Sequence, residues 1–170
     1  MHIAPNLILN LFCLVLVSCL LSTYSRLPPN NPFFLKSVYK VKGDEKTGFL
    51  VRQVPGDGGC LFHSIATWLT YSTCNQHLEF DWKLRKLSNQ LRQIAVNMLQ
   101  TNQSLYIENG DIMDSPSLLS IVGEHYNMTP SEYCTQMLCS ATWGGGPEIV
   151  ALSNHFQCPI HVYNLCSVRG

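Results

Sequence analysis

Charge is scarce in this sequence. Only 13% of its 170 residues are Asp, Glu, Lys or Arg, and 11 acidic residues balance 11 basic ones. No basic run or stripe occurs, which argues against a nucleic-acid partner. Low charge is not disorder here, because 46% of the residues are hydrophobic. Paired Cys-x-x-Cys spacing is also missing. Cys60, Cys74, Cys134, Cys139, Cys158 and Cys166 stand singly, so a zinc ribbon is not supported and no metal site is indicated. Internal repeats and low-complexity tracts are absent as well. The length suits one domain with a real core and is too short for two comfortable ones.

The N-terminal stretch lacks charge altogether. "NLILNLFCLVLVSCLLS", Asn6 to Ser22, is almost wholly apolar. It matches a signal-peptide core in length and is short for a spanning helix, which needs roughly 20 residues. No Lys or Arg precedes it, and Arg26 is the first basic side chain after it, so charge does not fix an orientation. Residues 1–25 read as a signal peptide or membrane anchor, with membrane association through residues 7–21; the competing reading is a buried core helix. The domain then lies in the cytosol behind an anchor, or follows a secretory or organellar route. Residues 26–48, opening with "RLPPNNPFF", read as a linker, because three prolines cannot continue a helix. Cys13 and Cys19 read as small hydrophobes. The remaining thiols are expected mostly reduced, although a signal peptide would permit oxidation.

From Phe49 the pattern is that of a packed domain. "FLVRQV" is β-prone and runs into the loop "PGDGG". Cys60, Leu61, Ile65, Trp68 and Leu69 recur at helical spacing and place a helix start at Cys60. Asp81 opens a long helix with Leu84, Leu87, Leu91, Ile94, Ala95 and Met98 on one face, and Lys83, Arg85, Lys86, Asn89 and Arg92 on the other. "TNQSLYIENGDIMDSP" is rich in turn residues, and Leu118 to Tyr126 is a further helix. Thr129, Pro130 and Glu132 form a capping-box sequence for another, carrying Tyr133, Met137 and Leu138. After "WGGG", Pro147 and Glu148 suit the first turn of a last helix with Ile149, Leu152 and Phe156. "CPIHVYNLC" reads as a strand. The alternation predicts an α/β (α+β) fold.

The stretch "VPGDGGCLFHS", Val54 to Ser64, sets Cys60 at that helix start. Free N–H groups and the macrodipole at a helix N-terminus favour negative charge on sulfur. Gly58 and Gly59 let the backbone bend and could turn N–H groups toward an oxyanion. Asp57 could brace the loop. A glycine turn before an inert core cysteine remains the alternative from local composition alone.

"DGGCLFHS" resembles the nucleophile motif of the ovarian tumour (OTU) family of cysteine deubiquitinases. "SEYCTQM", "WGGGPE" and "ALSNHFQCPIHVYN" are similar to the later family segments, in order, over roughly Val51 to Leu165. The resemblance implies a papain-like cysteine protease fold of OTU type, several helices packed around a small central sheet, in a domain over residues 49–170. It implies cleavage of (iso)peptide bonds after the C-terminal glycine of ubiquitin or polyubiquitin, with no cofactor. Cys60 takes the nucleophile position and Asp57 the acidic one. Gly58 and Gly59 take the loop, and Trp143, Gly144, Gly145 and Glu148 take WGGxxE positions expected to be chiefly architectural.

The family's histidine lies on a strand beyond the "IHVY" segment. No histidine follows His161, so the domain is expected to be incomplete at its C-terminus, with the final strands missing and activity weak or lost. His63, one turn after Cys60, is either an unusual base or a partly exposed side chain beside the substrate groove. Three functions compete: an OTU-type thiol isopeptidase, a noncatalytic ubiquitin-binding module, and a secreted disulfide-bonded protein.

Overall fold

The computed structural model describes residues 34–41, 44–107, 110–163 and 165–167. The apolar run of residues 6–22 lies outside them. Among the described residues no helix is long and apolar enough to cross a membrane. Contacts divide the chain into two units, one spanning Val54–Gln157 and the other taking the residues on either side.

The flanking unit holds a three-stranded antiparallel sheet in the order β2-β1-β5. Strand β1 is Phe34–Val41, β2 is Asp44–Arg52 and β5 is Leu165–Ser167. Tyr39 pairs with Phe49 on one side and with Ser167 on the other. Two expectations change here. Strand structure begins at Phe34, inside the stretch read as linker up to residue 48. The prolines end at Pro32, and "FLKSVYKV" beyond them is rich in β-branched and aromatic residues. The strand read over "CPIHVYNLC" is displaced to Leu165–Ser167. Residues 159–163 form no strand, and Val162 is 75% exposed, so the apolar residues that suggested one are not packed as a sheet face.

The Val54–Gln157 unit contains helices α1 (Cys60–Cys74), α2 (Trp82–Gln100), α3 (Ser115–Tyr126), α4 (Pro130–Met137) and α5 (Gly146–Phe156). The "TNQSLYIENGDIMDSP" stretch adds a two-stranded antiparallel pair, β3 (Ser104–Tyr106) and β4 (Ile112–Asp114). Helix α2 is the hub and touches α1, α3, α4 and α5. Asp81 caps it by accepting from the Lys83 and Leu84 amides. Phe62 and Ala66 of α1, Leu91, Ala95 and Leu99 of α2, Leu105 of β3, and Ala151 and Leu152 of α5 are fully buried together with Leu84. The Asn154 side chain bonds both the N–H and the C=O of Tyr106, occupying the β3 edge as a strand would.

The caps of the other helices follow their sequences. Asp114 caps α3 at the Ser117 amide. Thr129 and Glu132 of α4 exchange backbone bonds as a complete capping box. The face of α2 is rotated from the one its leucines suggest. Leu84, Ser88, Leu91, Arg92, Ala95, Val96 and Leu99 are buried, while Leu87, Ile94 and Met98 are only half-buried. Arg92, read as part of the charged face, is inside.

Candidate active site

Cys60 is the first residue of α1, with its side chain half-buried, and Gly59 is the N-cap residue. No side chain caps this helix. Its first-turn amides therefore have no carbonyl partner of their own and form an anion-receptive end beside the thiol.

The loop before Cys60 is fixed from two sides. Gly58 has φ +88°, a conformation that favours glycine, and a Cβ there would collide with the backbone of Ala141. Arg92 supplies the second anchor. Its guanidinium donates to the carbonyls of Met137 (2.8 Å), Thr142 (2.8 Å), Ser140 (3.1 Å) and Gly58 (3.4 Å). It also lies 4.2 Å from the Phe62 ring centroid. One buried arginine thus ties the loop before Cys60 to the segment that leads into the WGG motif. Gly144 completes that contact, because a Cβ there would meet Leu61 at 2.8 Å and Phe62 at 2.9 Å.

Asp57 does not point at solvent alone. Its Oδ1 accepts from the Gly59 amide (3.1 Å) and faces His63 Nε2 (2.9 Å), while Oδ2 lies 3.5 Å from Arg85. Burial works against its charged form, but the Gly59 and His63 hydrogen bonds and the charges of His63 and Arg85 prevail, holding the carboxyl below its ordinary value. The Gly59 N–H, expected as an oxyanion donor, is engaged by this carboxylate. The donors beside the sulfur are instead those of the first turn of α1.

His63 differs from both readings of it. Only 4% exposed, it is held between Asp57 at Nε2 and Ser88 Oγ at Nδ1 (2.6 Å). Both ring nitrogens are therefore engaged, Nε2 by the Asp57 carboxylate and Nδ1 by the Ser88 hydroxyl. Among the described residues, His77 stacks on Tyr71, and His125 and His155 sit in the last turns of α3 and α5. A cleft of about 400 Å³ opens beside the loop, lined by Asp57, His63, Arg85, Ser88, Arg92 and Ala141 among others.

Glu148 is fully buried and organises the start of α5. It accepts from the Gly145 amide (2.7 Å) and the Tyr133 hydroxyl (2.8 Å). Burial raises its carboxyl above the ordinary value, against those two bonds and the charge of Arg92. Burial and Glu148 together raise Tyr133. Trp143, expected to be chiefly architectural with its neighbours, is 65% exposed. Sequence reasoning missed Ser88 and Arg92 as parts of the site. The available signal was that both continue the i, i+4, i+7 row from Leu84 to Leu99. Cys60, Cys74, Cys134 and Cys139 are free thiols. Burial raises the Cys134 thiol, with Glu148 adding to it, and pushes Cys158 up to about 11.

The family described as OTU-like cysteine protease matches residues 55–169. Among curated proteins, the chain is 27% identical over 120 residues to ubiquitin thioesterase otu2 of Schizosaccharomyces pombe, covering 71% of this chain and 34% of that one. It is 30% identical over 115 residues to deubiquitinase OTUD6B of Mus musculus, covering 66% and 33%. It is 31% identical over 119 residues to OTU domain-containing protein 2 of Saccharomyces cerevisiae, covering 65% and 34%. The chain thus spans about a third of the length of these relatives. No solved structure matches it significantly. The family match, which takes in both the Cys60 loop and the WGG segment that Arg92 joins to it, shows that the chain belongs to the OTU-like cysteine proteases.

Proposed function

We propose that the chain is a thiol-dependent deubiquitinase with Cys60 as nucleophile. The carrying observation is the placement of Cys60 as the first residue of an uncapped helix, behind a loop locked by Arg92 and Gly58. Two of its relatives are named ubiquitin thioesterase and deubiquitinase, which supports ubiquitin as the substrate class. In this reading the Cys60 sulfur attacks the carbonyl of ubiquitin's C-terminal glycine. A C–S bond forms, the C–N bond to the leaving amine breaks, and the proton lost by the thiol ends on that amine. Water then hydrolyses the thioester and regenerates the thiol. The oxyanion lies toward the first-turn amides of α1. Asp57 braces the loop, and Gly144, Gly145 and Glu148 hold the WGG segment in place.

A noncatalytic ubiquitin-binding module is the second reading. It is favoured by one observation: His63, one turn after Cys60, is engaged at both ring nitrogens by Asp57 and Ser88. Hydrolysis of a ubiquitin carrying a fluorogenic amide at its C-terminus separates these two readings. A deubiquitinase releases fluorophore, slowly if base catalysis worth about 10²–10⁴-fold is missing, and Cys60→Ala abolishes the release. Binding of the substrate with no Cys60-dependent release would establish the module instead.

A further inference from the structure

We propose that His63 is a positioning residue for the Cys60 thiol, acting through Asp57 and the Gly59 peptide, and not the base that takes the thiol's proton. This rests on the reading of Cys60 as nucleophile. A continuous chain of contacts runs from the hub helix to the sulfur-bearing residue. Ser88 Oγ is bonded to the Leu84 carbonyl of its own helix (2.8 Å) and meets His63 Nδ1; His63 Nε2 meets Asp57 Oδ1; and Asp57 Oδ1 accepts from Gly59, the residue before Cys60.

The two inner members are rigid. Ser88 is 2% and His63 4% exposed, so neither changes rotamer without disturbing the core. Asp57 is the exposed member. Without His63 it keeps only the Gly59 amide and a 3.5 Å approach to the exposed Arg85, a weak restraint. The imidazole also occupies the space where a side chain at Gly59 would sit, next to the peptide leading into Cys60. A Cβ on Gly59 would lie 2.8 Å from His63 Nε2 and 3.2 Å from Asp57 Oδ1. A displaced ring therefore displaces the N-cap of α1, and with it the direction of the Cys60 side chain and of the first-turn amides. Small displacements of a nucleophile carry large rate penalties.

The test uses the full chain and four proteins: wild type, His63→Gln, His63→Phe and Ser88→Ala. Two rates are measured as a function of pH: iodoacetamide adduct formation mapped to Cys60, and release of fluorophore from the ubiquitin amide. His63→Phe fills the space without a donor, and should slow both rates about three- to tenfold, the range of one ordinary hydrogen bond, with kcat falling and KM unchanged. His63→Gln keeps an N–H toward Asp57 and should restore most of the loss, which it could not do for a base. Ser88→Ala should fall between them, and it carries the test if the phenylalanine variant does not fold by circular dichroism. Equal alkylation rates and pH profiles in all four proteins would overturn the proposal, as would His63→Gln as impaired as His63→Phe. If wild type releases no fluorophore while alkylation still follows this order, the deubiquitinase reading fails and the positioning role stands. If ubiquitin is cleaved with no dependence on His63, the reverse holds.

Discussion

Two cysteines mark opposite ends of one helix. Cys60 opens α1 and Cys74 closes it, and Cys74 is the more exposed. Exposure alone would make Cys74 the faster thiol, whereas Cys60 stands beside the uncapped N-terminal amides of α1, where an attacking sulfur and the anion it generates find donors. Mass-mapped iodoacetamide labelling of the folded chain near neutral pH should therefore modify Cys60 first. Faster labelling of Cys74, or of the buried Cys134, would show that the helix end does not activate the thiol. Glu148 poses a different question, because a buried carboxylate is costly even when bonded. Glu148→Gln can still accept from Gly145 and donate to the Tyr133 oxygen, so it should change stability by less than about 1 kcal/mol, while Glu148→Ala strands both partners and should lose about 2–4 kcal/mol. The folded-state value of Glu148 is raised, so its contribution is fully present below its ordinary value of 4.5 and is lost as pH rises through the raised one. Denaturant titrations should then show wild type gaining on Glu148→Gln as pH falls toward about 4. A constant difference across pH would contradict the buried, raised carboxyl.

At the scale of elements, the loop before Cys60, α2 and the WGG segment form one joint through Arg92. Gly58 is its tightest point. Gly58→Ala combines a left-handed backbone with a collision at Ala141 and should destabilise by about 1–3 kcal/mol or more. Gly56→Ala, two residues earlier with open space around its Cβ, should stay within about 0.5 kcal/mol. Chemical denaturation measures both, and equal effects would mean the joint is not where the geometry puts it. Much of this was legible in the chain. The Asp81 cap, the Thr129–Glu132 box, Pro147 with Glu148, and the helix start at Cys60 are local signals, set by residues within a turn of one another, and they appear where the sequence places them. The joint itself was not legible. Arg92 reads as a surface cation, and only the carbonyls of Met137, Ser140 and Thr142, more than 40 positions away, make its burial affordable. His63 likewise needs Ser88, 25 positions on, to become an interior side chain. The strand expected over "CPIHVYNLC" is displaced to Leu165–Ser167 for the complementary reason: apolar residues without a packed face, such as the exposed Val162, do not make a sheet.

For the molecule as a whole, the central claim is that a ubiquitin C-terminus reaches Cys60 and is attacked by it. Family membership supports this through relatives three times as long as the aligned part, so recognition by this chain must be measured on this chain. The most direct measurement is covalent capture. Folded protein is incubated with ubiquitin bearing a thiol-reactive alkyne in place of its C-terminal glycine carboxylate, and the product is read by intact mass and peptide mapping. Capture needs nucleophile, loop and substrate surface, and it needs no deacylating water. The account predicts a single adduct of one ubiquitin, mapped to Cys60, absent in Cys60→Ala and retained in Cys74→Ser. No adduct on the folded wild-type chain, or an adduct that persists in Cys60→Ala, would contradict it.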